Sequence, residues 1–90
     1  MANIGQFEVG TTWTQISTVT GASYLVGASY LIQNVGFPTL MLCESPTQPT
    51  GQIGFRANTD DKVLYTCKSG EYLWVRAYAN TAKFNIAEEE

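Results

Sequence analysis

Groups able to do chemistry are few and far apart in this 90-residue chain. It contains no histidine, the side chain best suited to moving protons near neutral pH. Outside the terminal run Glu88-Glu89-Glu90, the carboxylates are Glu8, Glu44, Asp60, Asp61 and Glu71. Glycoside hydrolysis would need two of them facing each other across a cleft at a defined separation, which a chain this short rarely builds. Asp60-Asp61 reads as a solvated turn, because a calcium site needs several oxygen ligands converging at regular spacing. Gly51-Gln52-Ile53-Gly54 leads into a strand, whereas a phosphate loop opens a helix. Cys43 and Cys67 sit in apolar runs and read as small buried hydrophobes, kept as thiols in a reducing compartment; a Cys43–Cys67 bridge is the alternative. With no imidazole to activate it, neither thiol is set up as a nucleophile. The expectation is a non-enzymatic chain without catalytic residues, metal or cofactor.

Recognition chemistry is better represented. In Gly70-Glu71-Tyr72-Leu73-Trp74-Val75-Arg76-Ala77-Tyr78, successive side chains of a strand point to opposite faces. Leu73, Val75 and Ala77 share one face and suit a core. Tyr72, Trp74, Arg76 and Tyr78 share the other, a combination enriched in protein interfaces and costly to leave fully wet. These four are the candidate interface residues. A strand apolar on both faces, in so short a chain, points to a second buried surface supplied by another subunit. The same set also reads as a second core layer of the monomer, or as a platform on which sugar rings stack. Arg76 between aromatics suits a stacked or paired cation.

The elements that must position these residues are short strands. Ninety residues make one domain with a small core, for which association with further copies is a natural supplement. Charged residues are only 14% of the chain, well below the roughly 25% of an average protein, so Thr, Ser, Asn, Gln or other protein must cover the surface. Net charge is −3, with three acids at residues 88–90, and Arg56, Lys62, Lys68, Arg76 and Lys83 are scattered singly. No basic stripe exists to neutralise phosphates, so nucleic acid is not an expected partner. No run approaches the roughly 20 apolar residues of a membrane helix, and Met1-Ala2-Asn3-Ile4-Gly5 has no signal-peptide pattern.

Turn signals recur about every 8–12 positions between runs rich in Val, Ile, Thr, Tyr and Trp, which predicts a single antiparallel β-sandwich or small barrel of about seven strands. Residues 1–12 are available as an extended N-terminal arm, and residues 88–90 form an acidic tail. Thr11–Ser17 reads as a Thr-rich strand, and no amphipathic helix is expected anywhere. Gly21-Ala22-Ser23-Tyr24-Leu25-Val26 is followed by the near-copy Gly27-Ala28-Ser29-Tyr30-Leu31-Ile32, with Gly27 breaking the run and Ala28–Gln33 forming the strand. Asn34–Pro38 reads as a hairpin turn into a returning strand Thr39–Glu44, with Leu40 and Leu42 on one face and Met41 and Cys43 on the other. Ser45–Gly51 is a surface loop stiffened by two prolines. Strands follow from Ile53 and from Val63, and a tight hairpin at Asn80-Thr81 joins the Tyr72–Tyr78 strand to Lys83–Ala87.

From Tyr30 onward the chain resembles small virion structural proteins of tailed bacteriophages, of the head-decoration or appendage type. The likeness is carried by Leu31-Ile32-Gln33-Asn34 with Gly36, Ser45 and Pro49 in a polar loop, Gly70, Leu73-Trp74-Val75-Arg76, and Phe84-Asn85-Ile86. It implies a compact β-sandwich made in the bacterial cytoplasm and carried on the virion, decorating or stabilising the capsid. The implied partners are further copies, with a homotrimer favoured, and the major capsid protein or other virion proteins. A glycan- or receptor-binding adhesion module of a phage tail or cell surface is the alternative.

Overall fold

The computed structural model describes residues 2–21, 24–51 and 53–89. The chain runs β1 (Ala2–Val9), β2 (Thr14–Gln15), α1 (Ile16–Thr20), β3 (Ser29–Asn34), β4 (Leu40–Ser45), β5 (Phe55–Ala57), β6 (Lys62–Thr66), β7 (Tyr72–Ala77) and β8 (Ala82–Glu89). Two four-stranded antiparallel sheets face each other, sheet A in the order β1-β8-β3-β6 and sheet B in the order β2-β7-β4-β5. The pairs β4·β5, β3·β6, β2·β7 and β1·β8 nest like one long hairpin whose successive rungs fall in alternate sheets. That strand order is the jelly-roll arrangement of a β-sandwich.

The expected all-β sandwich is therefore present, with eight strands among the described residues. Most strands stand where the alternation puts them, but their partners differ from expectation. β3 and β4 are not a hairpin, nor are β7 and β8: each pair of neighbours in sequence lies in opposite sheets. Asn34 explains the first crossing. Its buried side-chain amide donates to the Pro38 carbonyl (2.9 Å) and to the Ala57 carbonyl of β5 (2.8 Å), while its Oδ1 accepts the Gly36 N–H (2.9 Å). The turn is thus tied to the opposite sheet instead of folding back on its own.

Residues 2–9 are not an arm; they form the edge strand β1, paired with β8 from Ala2↔Glu88 to Val9↔Ala82. The acidic tail is also shorter than expected, because β8 continues through Glu88 and Glu89. Thr11–Ser17 is not a continuous strand. Only Thr14 and Gln15 pair with β7, and the chain then turns through the short helix α1, which the sequence pattern does not show. Its residues Ile-Ser-Thr-Val-Thr are poor helix formers; burial of Ile16 and packing of Val19 on the core decide the matter. Gly21, at φ 72°, closes the turn by donating its N–H to the Ser17 carbonyl.

Gly27 does break the duplicated run, at φ 90°. Tyr24 and Tyr30, equivalent in the two copies, pack edge to face with centroids 4.7 Å apart. Ala22 and Ser23 of the first copy lie outside the described residues, as do Met1, Gln52 and Glu90. The core between the sheets is built from Val9, Tyr30, Ile32, Leu40, Leu42, Leu73, Val75, Ala77, Phe84 and Ile86 with their neighbours. Leu73, Val75 and Ala77 form the inward face of β7, as the alternation predicts. Cys67 belongs to the core, whereas Cys43 lies half-buried on the outer side of sheet B; both are free thiols, so the alternative of a bridge does not hold.

Candidate functional site

β7 lies inside sheet B between β2 and β4, and this fixes what surrounds the aromatic face. With Leu73, Val75 and Ala77 turned to the core, Tyr72, Trp74 and Arg76 project from the outer side. Register then sets their neighbours. Trp74 stands between Gln15 of β2 and Cys43 of β4, while Arg76, Met41 and Arg56 form one row across β7, β4 and β5.

The chain itself lays a partial second layer on this face. The segment after β4 runs back across it, with Pro49 buried. The Trp74 indole N–H donates to the Ser45 carbonyl (3.0 Å), and the Trp13 indole N–H donates to the Gly51 carbonyl (2.8 Å). Gln48 returns a bond from its side-chain amide to the Trp13 carbonyl (2.8 Å). Beneath this cover Trp13 is 4% exposed and Met41 is fully buried, although Met41 points away from the main core. Ser45–Gly51 is a surface loop, as the sequence suggests, and buried Pro49 and the two indole bonds hold it against this face as a strap.

The four candidate residues fare differently. Trp74 and Arg76 are half-buried at the margin of the strap. Arg76 donates from Nε to the Ala77 carbonyl (2.9 Å) and from an Nη to the Gly51 carbonyl (3.3 Å), with its guanidinium 5.9 Å from the centre of the Trp13 ring. Tyr72 and Tyr78 stay 49% and 43% exposed at opposite ends of the strand. Arg56, which the sequence reading did not single out, lies 5.1 Å over the Tyr78 ring. Trp13 was missed as well, since a lone Trp among threonines carries no periodic signal. The Arg56–Met41–Arg76 row could have been found only from the β4–β5 register.

Among the described residues this face carries no ion pair. The described ion pairs, Lys68–Glu44 at 3.2 Å and Lys83–Glu8 at 3.7 Å, are elsewhere and exposed; such pairs are worth about 0–1 kcal/mol. Among the described residues, neither Arg56 nor Arg76 has a carboxylate partner. Asp61 accepts the Asn58 N–H (2.9 Å) within the β5–β6 turn.

Two clefts open away from this face. One, of about 400 Å³, lies at the end of the sandwich between α1 and the β6–β7 turn, lined in part by Gln15, Tyr24, Tyr65, Cys67, Glu71 and Tyr72. The other, of about 280 Å³, lies along the open side where β5 and β6 are the sheet edges, lined in part by Leu42, Phe55, Val63, Tyr65 and Leu73. Phe55 faces inward, opposite Leu42, yet is 69% exposed because nothing among the described residues closes that side.

Burial raises the Tyr24 and Tyr65 phenols above their ordinary 10.0, and the Cys43 and Cys67 thiols above 9.0. The unfolded chain releases these protons at the ordinary values, so in that range it binds fewer protons than the native state and stability falls with pH. Stability should be flat up to about pH 9 and decline beyond it, first through the thiols and then above 10 through the phenols. Urea titrations from pH 7 to 11, with tyrosinate absorbance as a second signal, check this.

Gly54 sets the path of the chain out of the strap. Its φ is +106°, and a Cβ there would be driven into the Leu42 carbonyl oxygen with Cys43 Cβ only 3.1 Å away. Gly54→Ala should cost about 2–3 kcal/mol, from an unfavourable backbone conformation and a clash with β4 backbone. Urea unfolding followed by Trp fluorescence measures it.

Comparison with protein-family models, curated proteins and solved structures returns no match for this chain. No described helix is long and apolar enough to cross a membrane.

Proposed function

We propose that this chain is a non-enzymatic structural subunit that works by assembling with copies of itself, most specifically as a capsid decoration or stabilisation protein of a bacteriophage virion. The observation that carries the proposal is the unclosed apolar side of the sandwich. Ile53, Phe55 and Leu64 are exposed along the free β5 and β6 edges, beside a cleft floored by core residues. Phe37, 93% exposed, crowns one end, and Leu25 and Val26 are exposed at the other. So much exposed apolar area on a small chain marks interaction surfaces, and unpaired strand edges invite pairing with another chain. Burying that surface between copies adds roughly 25 cal/mol per Å² of apolar area before the entropic losses of association. Symmetric assembly then stabilises each copy by mass action.

The virion assignment rests on the residue likeness from Tyr30 onward. Jelly-roll sandwiches also serve in viral capsid and lectin domains, which is an analogy of architecture alone. On a capsid with threefold positions a homotrimer is the economical form, made in the bacterial cytoplasm and carried on the particle. Light scattering during size-exclusion chromatography tests the proposal: a mass of about three times 9.9 kDa is expected, together with retention on empty phage shells. A 9.9 kDa species at every concentration, indifferent to shells, would overturn it.

A second reading, a glycan-binding module, draws on Tyr72 at the rim of the 400 Å³ cleft with Gln15, Ser17 and Glu71 close by. Volume and polar lining are in the range of small-ligand sites. A shift in Trp fluorescence with added polysaccharide, from a chain that stays monomeric, would favour this reading.

A further inference from the structure

We infer that the outer face of sheet B is an anion-docking surface, and that its occupant is the acidic run Glu88-Glu89-Glu90 from a second copy of this chain. The inference rests on the self-assembly proposed above and specifies its contact.

Three of the five basic residues have no carboxylate partner among those described: Arg56, Arg76 and Lys62. The two arginines share one face and flank Met41 in a single row, so two strand spacings of about 4.8 Å separate their backbones. Each guanidinium is pre-positioned, Arg56 over the Tyr78 ring and Arg76 over Trp13 with a bond to the Gly51 carbonyl. Ordering these long side chains is therefore already done, and a planar guanidinium so held is suited to receive carboxylates. Tyr78, still 43% exposed, supplies an amphipathic ring beside the charges.

The matching negative charge is in the same chain. An acidic protein with two arginines on one face that pair with no described carboxylate carries three consecutive glutamates at positions 88–90. β8 belongs to sheet A, whereas the arginine row lies on the outer side of sheet B. The proposed contact is between copies. It joins two different surfaces, a head-to-tail contact whose repetition closes a ring when the rotation allows.

The test uses the full chain, its mass followed by light scattering as salt is raised. The wild-type assembly should weaken about tenfold or more between low salt and high salt, as screened charge pairs do. Arg56→Glu alone, and Glu89→Lys with Glu90→Lys, should each weaken association about 100-fold while melting normally, since like charges then oppose. The two changes combined in one chain should restore assembly. An assembly that ignores salt and both reversals would overturn this contact and leave self-assembly standing. Wild-type chains that remain single at every concentration would overturn both. Poly-L-glutamate bound by a strictly single wild-type chain would overturn the second copy as occupant and transfer the face to an acidic partner.

Discussion

Asn34→Ala should destabilise the fold by about 3–5 kcal/mol, the largest effect expected of any polar substitution in this chain. The side chain is fully buried and makes three bonds of 2.8–2.9 Å, to the Pro38 and Ala57 carbonyls and from the Gly36 N–H. Alanine abandons all three partners in a region water reaches poorly, and each stranded buried group costs about 1–3 kcal/mol. A domain of this length has a total stability of only about 5–13 kcal/mol. Much of the population should therefore unfold on modest heating. Asn34→Asp retains the acceptor but points a carboxylate at two carbonyls, so it should be at least as damaging at neutral pH. Chemical denaturation with Trp fluorescence measures both, and a loss under about 1 kcal/mol for alanine would show that water replaces the amide.

Trp13→Ala should cost about 3–5 kcal/mol, the usual range for removing a buried Trp, but by a different route. Trp13 is outside the inter-sheet core. Its indole closes the space over sheet B, and its N–H anchors Gly51. Removal frees the strap, uncovers Met41 and deprives the Arg76 guanidinium of its ring. The signature should be a loss of near-ultraviolet circular dichroism and faster hydrogen exchange in residues 46–54, with sheet A retaining its protection. Phe84→Ala would serve as the contrast, since a hole in the main core lowers protection in both sheets together. Uniform loss of protection in Trp13→Ala would mean that strap and sandwich unfold as one.

How much of this was legible beforehand follows from what alternation encodes. A period of two tells which side of a strand is apolar; it assigns Leu73, Val75 and Ala77 to the core and puts Leu40 and Leu42 together on one face, which is the core face. It does not tell which strand lies alongside, so β3–β4 and β7–β8 were joined as hairpins when each crosses between sheets. The deciding contact, the Asn34 amide on the Ala57 carbonyl, spans 23 residues and leaves no local mark. The two-residue strand β2 and the helix α1 are too short for any period to register. Tyr72, Trp74, Arg76 and Tyr78 were recognisable as an unusual outer face because four large side chains recur on one side of one strand. Their companions Trp13, Met41 and Arg56 come from three other segments, and only strand register gathers them.

The place of β8 has a bearing on biosynthesis. The last strand described is an inner one, inserted between β1 and β3. While the ribosome is still making residues 82–89, sheet A lacks its middle, and Ile32 and Phe7 face a gap that Phe84 and Ile86 will fill. The nascent polypeptide must wait, open and sticky, until those residues clear the exit tunnel. Chaperone demand, and the yield of any version cut short before Ala82, should reflect that late keystone.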